Sequence, residues 1–264
     1  MGRESFEENT VMKVLALYST KGGVGKTTTA VNLAWEASRD FRVLVWDLDP
    51  QGAATFLLNV NPKVKGGVGA LVGGKTPIAA AIRKTNFKQL DVLPADDSYR
   101  ELDLIFDHAK NSTGRIRAAL DIVGRDYDVV ILDCPPGSSL VAENAILAAD
   151  LVILPLVPSP LSLRSLEQVD AFVHASHSKT PILAFLSMVD RRKAFHRDSV
   201  ITMPRAVPSM TNIVVPGTVL IERMGVERRP VALYAPNTAA ALAFSDLWVR
   251  IQSIVKAKQG KSKK

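Results

Sequence analysis

Five short runs of almost unbroken apolar residues constrain this chain more than any other feature: Val14-Leu15-Ala16-Leu17, Val43-Leu44-Val45-Trp46, Val129-Val130-Ile131-Leu132, Leu151-Val152-Ile153-Leu154 and Ile182-Leu183-Ala184-Phe185-Leu186. None alternates between apolar and polar, so none reads as a strand with one face in water. Strands buried on both faces of a parallel sheet read this way. All fall far short of the roughly 18 residues needed to cross a bilayer. Between them lie helix-like segments near 27–38, 77–84, 98–109, 113–123, 139–149 and 161–175. Strand and helix in alternation predict a doubly wound, mostly parallel α/β sheet with helices on both faces. There is no internal repeat and no Ser/Gly-rich linker. Residues 12–256 are therefore expected to form a single domain, between a flexible extension over 1–11 and a basic disordered tail over 257–264.

The opening stretch MGRESFEENT is polar and acidic, unlike a signal peptide. Cys134 is the only cysteine, so no internal disulfide and no thiolate cluster can form within one chain. A cytoplasmic address follows as the expectation. The net charge of +7 is unevenly placed. Residues 186–264 hold 14 Lys and Arg against 5 Asp and Glu, and the first 185 residues are slightly acidic. A basic region on an otherwise balanced chain suits a polyanion: nucleic acid, an anionic membrane surface or an acidic partner. Solvated surface charge is the plainer alternative. Phe244, Leu247, Trp248, Ile251, Ile254 and Val255 form one helical stripe. Its opposite face carries only Arg250 and Lys256 as cations, which favours a helix docked on the sheet over one lying on a membrane.

Two segments compete for a phosphate-binding role. GALVGGKT at 69–76 matches the strict P-loop pattern, but turn-like residues precede it and Pro77 follows at once. Nothing upstream aims that loop from a sheet edge, so it is read as a decoy. TKGGVGKTT at 20–28 fails the strict pattern, with Thr at position 20, yet a strand leads into it and a helix out of it. Gly22, Gly23, Val24 and Gly25 let the backbone wrap a phosphate with successive amides. Lys26 reaches the β- and γ-phosphates, Thr27 ligates Mg²⁺, and Thr28 completes the cradle. The strand over 129–133 ends in Asp133, and that over 43–47 ends in Asp47 with Asp49 two residues on. Alternation along an extended chain points those last two carboxylates the same way, toward the mouth of the sheet.

KGGVGKTT at 21–28, DLDPQG at 47–52 and DCPPG at 133–137 resemble the motifs of the ParA/Soj-type partition ATPases, a P-loop family with a deviant Walker A loop within the ParA/MinD superfamily. LDVLPAD at 90–96 and RRPVALYAP at 228–236 extend the similarity over nearly the whole chain after residue 11. The resemblance implies an ATPase with ATP and Mg²⁺ as cofactors that closes into an ATP-bound homodimer. Lys21 then crosses the two-fold interface to the partner's phosphates, Asp49 orients the attacking water, and Asp47 and Asp133 support the magnesium shell. Hydrolysis is expected to be slow unless a ParB-like or cargo-adaptor protein stimulates it. In its ATP state the dimer is expected to bind duplex DNA without sequence preference, to associate with the nucleoid, and to position a plasmid, a chromosome origin or a protein assembly. A MinD-like membrane or regulatory ATPase is the alternative. A lone cysteine argues against the cluster-holding relatives, and Cys134 is read as a small buried filler. The candidates for a DNA surface are Arg191, Arg192, Lys193, Arg197, Arg205, Arg223, Arg228, Arg229 and Arg250. Positions near Gly217 and Leu220, commonly basic in this family, are not basic here.

Overall fold

The computed structural model describes residues 12–108, 113–175 and 180–262, the side chains of 257–262 excepted. Among the described residues eight strands form one sheet: β1 (Lys13–Leu17), β2 (Val43–Asp47), β3 (Arg83–Lys84), β4 (Leu90–Leu93), β5 (Val129–Asp133), β6 (Leu151–Leu156), β7 (Ile182–Val189) and β8 (Met210–Pro216). Their spatial order is β3-β4-β2-β5-β1-β6-β7-β8, and every pairing is parallel except β3 with β4. The five apolar runs are β1, β2, β5, β6 and the first part of β7. Their side chains divide between two cores, one on each face of the sheet.

The helices in chain order are α1 (Lys26–Ser38), α2 (Ala53–Leu57), α3 (Gly67–Val72), α4 (Ile78–Ala81), α5 (Leu102–Asp107), α6 (Arg115–Ile122), α7 (Leu140–Ala148), α8 (Ser162–Ala175), α9 (Ala194–Ala206), α10 (Val219–Glu222), α11 (Met224–Glu227) and α12 (Ala239–Ser262). The helix expected over 77–84 shrinks to α4, because the chain turns extended at Ile82 and Arg83 pairs with Val92 across β3 and β4. The segment expected near 98–109 opens as a 3₁₀ turn over 97–101, capped by the Asp96 side chain, before α5 begins. Ser139 caps α7 by accepting from the Ala142 amide.

α12 packs the expected apolar stripe into the sheet. Phe244, Leu247, Trp248, Ile251 and Val255 are buried, and the Trp248 ring meets Phe41 edge-on at 6.1 Å. The stripe is therefore covered by protein. The backbone of α12 stays helical to Ser262, into the segment expected to be a disordered tail. Its Lys, Ala and Gln content favours helix once a docked helix precedes it. Residues 1–11 and 263–264 lie outside the described residues. Among the described residues no helix is long and apolar enough to cross a membrane.

Candidate nucleotide site

β1 lies between β5 and β6, while the chain leaving it passes over to β2 on one side and later returns to β6 on the other. That reversal opens a crevice at the carboxyl ends of the strands, the place where α/β sheets of this kind bind ligands. The loop 18–25 fills it and runs into α1. Gly23 and Gly25 hold φ of +69° and +90°, a conformation L side chains rarely adopt. A Cβ on Gly22 or Gly23 would meet only open space, and one on Gly25 would come within 3.0 Å of the Ser187 hydroxyl. The first two glycines thus face an open cradle, and the third allows β7 to approach closely. Lys26 begins α1 with its side chain buried, and its ammonium donates to the Lys21 carbonyl at 3.3 Å. Desolvation lowers its pKa, while the nearby Asp133, Cys134 and Asp49 oppose that shift.

β5 and β2 are neighbours in register, so Asp133 and Asp47 sit side by side at the strand ends. Both are fully buried. Asp47 Oδ2 accepts from the Thr55 amide at 2.9 Å and its hydroxyl at 2.7 Å, and Oδ1 accepts from the Asp49 amide at 3.3 Å. Burial pushes Asp47 up to about 6 despite these bonds. Among the described residues neither oxygen of Asp133 has a hydrogen-bond partner. Burial, then the charge of Asp47, raise its pKa well above the usual carboxylate range, against the pull of Thr27 and Lys26. Two orphaned buried oxygens beside a second buried carboxylate are costly unless a cation or its water shell satisfies them. These residues fit a hydrated divalent cation. Cys134 is fully buried in the core behind them.

A cavity of about 440 Å³ opens from this loop. Gly22, Gly23, Gly25, Lys26, Thr27, Thr28 and Asp49 form one wall. The other wall was not legible in the sequence; it is made by Ser187 and Met188 of β7, Val215 and Pro216 at the end of β8, Gly217 and Thr218 after it, and Ile221 and Met224 of α10 and α11. Met188 holds φ +55°, and a Cβ on Gly217 would lie 3.1 Å from the Met188 carbonyl oxygen. Only glycine lets the β8 exit pass so close to β7. Pro216 before this glycine was the one available signal. Lys21 lies outside the cavity lining, its ammonium donating to the Leu161 carbonyl at 3.3 Å.

The decoy segment 69–76 forms the end of α3 and the turn after it, packed against the 97–101 turn, α5 and α6 with no strand among the described residues leading into it, and Lys75 is exposed. The DNA candidates separate into two groups. Arg191, Lys193 and Arg197 are exposed around the start of α9, while Arg192 is bound by Asp190 through two bonds of 2.9 Å. Arg223 and Arg229 share Glu227, each at 2.6 Å. Arg228 bonds Asn59 at 2.7 Å and lies 3.9 Å over the Phe56 ring.

Comparison with known proteins follows the same lines. A family model described as an AAA domain matches residues 12–183. The chain is 31% identical over 253 residues to the sporulation initiation inhibitor protein Soj of Bacillus subtilis, covering 89% of this chain and 96% of that one. It is 31% identical over 262 residues to the chromosome partitioning protein ParA of Caulobacter vibrioides, covering 95% and 98%. Among solved structures, apo McdA of Cyanothece shares the fold with a TM-score of 0.77 at 20% identity, covering 89% of this chain and 98% of that one. A cobyrinic acid a,c-diamide synthase from Mycobacterium smegmatis with bound ADP and magnesium gives 0.76 at 26% identity, covering 91% and 94%.

Proposed function

This chain belongs to the ParA/Soj-type partition ATPases, and from that premise we propose that it is an ATP-gated dimer that binds duplex DNA without sequence preference and positions a cargo. The family supplies the P-loop ATPase fold. The finer assignments are inferences from this chain's own residues.

Lys26 and the amides of residues 22–28 bind the phosphates, and Thr27, Asp47 and Asp133 hold the magnesium shell. Bound Mg²⁺ neutralises charge on the β- and γ-phosphates. Asp49, one step beyond the buried pair, orients the attacking water. The wall formed by Met188, Pro216, Gly217 and Ile221 is the one left for the base. The observation that carries the switch is the position of Lys21. It lies in the phosphate loop, yet its ammonium lies outside its own cavity, on the Leu161 carbonyl. While its carbonyl accepts from Lys26, its side chain adds nothing to the cradle it belongs to and is free to reach a second copy across a two-fold axis. A ParB-like adaptor that stimulates turnover and a nucleoid address in the ATP state complete the proposal.

Light scattering of the parent chain and of Lys21→Ala, each with and without ATP and Mg²⁺, tests it. The parent should become a dimer with ATP, and the variant should bind ATP with near-parental affinity yet stay monomeric. A normal ATP dimer of the variant would remove the in-trans role. Co-sedimentation with plasmid DNA and with anionic liposomes separates this reading from a membrane-bound one. The burial of the α12 stripe favours DNA.

A further inference from the structure

The C-terminal third is not the only basic part of the chain. Between Asp49 and Asp91 there is no acidic residue, and Lys63, Lys65, Lys75, Arg83, Lys84 and Lys88 all fall there. Folding gathers part of this charge. Lys63 and Lys65 on the loop after α2, with Arg83 of β3, line an open cleft of about 540 Å³ together with Asn61, Val64 and Gly66. The Thr76 hydroxyl bonds the Lys65 carbonyl at 3.3 Å and brings the turn carrying Lys75 alongside. The Arg83 guanidinium donates to the carbonyls of Ala80, Ile82 and Lys63. Those bonds fasten β3 to the loop without cancelling its charge.

No carboxylate pairs directly with these cations: among the described residues Lys63, Lys65, Lys75 and Arg83 form no ion pair, whereas Lys84 is held by Asp91 at 2.7 Å. Asp96, which is bonded to the same loop, accepts from the Val64 and Ser98 amides and the Ser98 hydroxyl. Unpaired cations converging on one cleft form a site for a polyanion.

We propose that this cleft is a second duplex-DNA contact, binding backbone phosphates at the β3 edge of the sheet. It rests on the DNA reading above and extends it to a face at the opposite end of the sheet from β8. The lining favours a phosphate backbone over an acidic peptide. Its one apolar side chain, Val64, is buried, and the rest of the lining is Asn61, Lys63, Lys65, Gly66 and Arg83, with no aromatic or aliphatic anchor among them. Phosphate contacts need only spaced, exposed cations. The cleft shares no lining residue with the nucleotide cavity, so it can be altered without touching the phosphate site.

The test uses the full chain with ATP and Mg²⁺. Anisotropy titrations over a salt series measure binding to two duplexes of unrelated sequence. The variants are Lys63→Glu with Lys65→Glu, the neutral Lys63→Ala with Lys65→Ala, and Arg191→Glu. Melting temperature and basal ATPase rate check that each variant is folded. Charge reversal in the cleft should weaken both duplexes alike, by at least ~10-fold at low salt. It should also flatten the log–log salt slope by about 2, at roughly 0.9 per lost phosphate contact, with the neutral pair in between. Parental affinity and slope in both cleft variants, while Arg191→Glu releases DNA, would overturn the cleft alone. A parent chain that ignores DNA would overturn the DNA reading and the cleft together. Binding of poly-glutamate by the parent, lost on charge reversal with DNA affinity unchanged, would make the surface a protein-docking one and overturn the proposal.

Discussion

Asp47 and Asp133 face each other on adjacent strands with no solvent around either, and the consequences of that placement can be measured. Asp47 is pushed up to about 6 by burial, so the fold favours its protonated form. Its stabilising contribution is fully present below the ordinary aspartate range and is lost as pH rises through about 6. In the nucleotide-free protein, the melting-temperature difference between the parent and Asp47→Asn should therefore fall between about pH 4 and 6 and level off above 7. Added Mg²⁺ with a nonhydrolysable ATP analogue should flatten that trend. A pH-independent difference would show that Asp47 does not titrate in this window. Lys26→Ala removes the buried ammonium that begins α1. With charged hydrogen bonds contributing about 1.5–3 kcal/mol each, ATP affinity should fall by at least ~100-fold in a direct binding titration, while Lys75→Ala changes nothing. Asp49→Ala should bind ATP normally and hydrolyse it roughly 10²-fold more slowly in a single-turnover assay, because a positioned water matters to the in-line attack and not to binding.

At the scale of elements, the strands that were legible are those buried on both faces. The residues of β1, β2 and β5 are almost all below a few percent exposure, so their composition had no polar face to mix in. β8 was not legible. It lies on the sheet edge, and its exposed Asn212 and half-buried Thr211 break the apolar run. β4 hides Asp91 inside a four-residue strand, paired to Lys84 and Tyr127. α9 carries Pro204 and a mixed surface, so its pattern gave no clear period. α12 was legible because its stripe is long. Trp248→Ala should destabilise the chain by about 3–5 kcal/mol in a urea melt. If the stripe instead faced a membrane, stability would hold and liposome binding would fall.

For the whole molecule, the basic C-terminal third folds into groups of unequal availability. Arg192 is held by Asp190, which the pair keeps well below the usual carboxylate range, and Glu227 binds both Arg223 and Arg229. Arg191 and Lys193 carry no such partner among the described residues. Charge reversal of Arg191 should therefore release DNA more than reversal of Arg192. Each lost phosphate contact should lower the salt slope by about 0.9, with ATPase and ATP-dependent dimerisation unchanged. Equal effects of the two variants would mean that the Asp190 pair opens on DNA.

The sequence by itself determined the doubly wound sheet, the strand–loop–helix setting of residues 20–28, and the two strands that end in Asp47 and Asp133. Each of these is written in local order: an apolar run, then glycines or a carboxylate at its end. Only the tertiary structure decided that Asp47 and Asp133 become a buried pair, with the Asp133 oxygens unsatisfied among the described residues, because their adjacency depends on β2 pairing in register with β5 much later in the chain. The far wall of the nucleotide cavity came from the same level, since Met188 and Gly217 meet only where β7 and β8 lie side by side. So did the basic cleft at the β3 edge. Its charges are spread thinly along the chain and become a site only when the loop after α2 is fastened to Arg83.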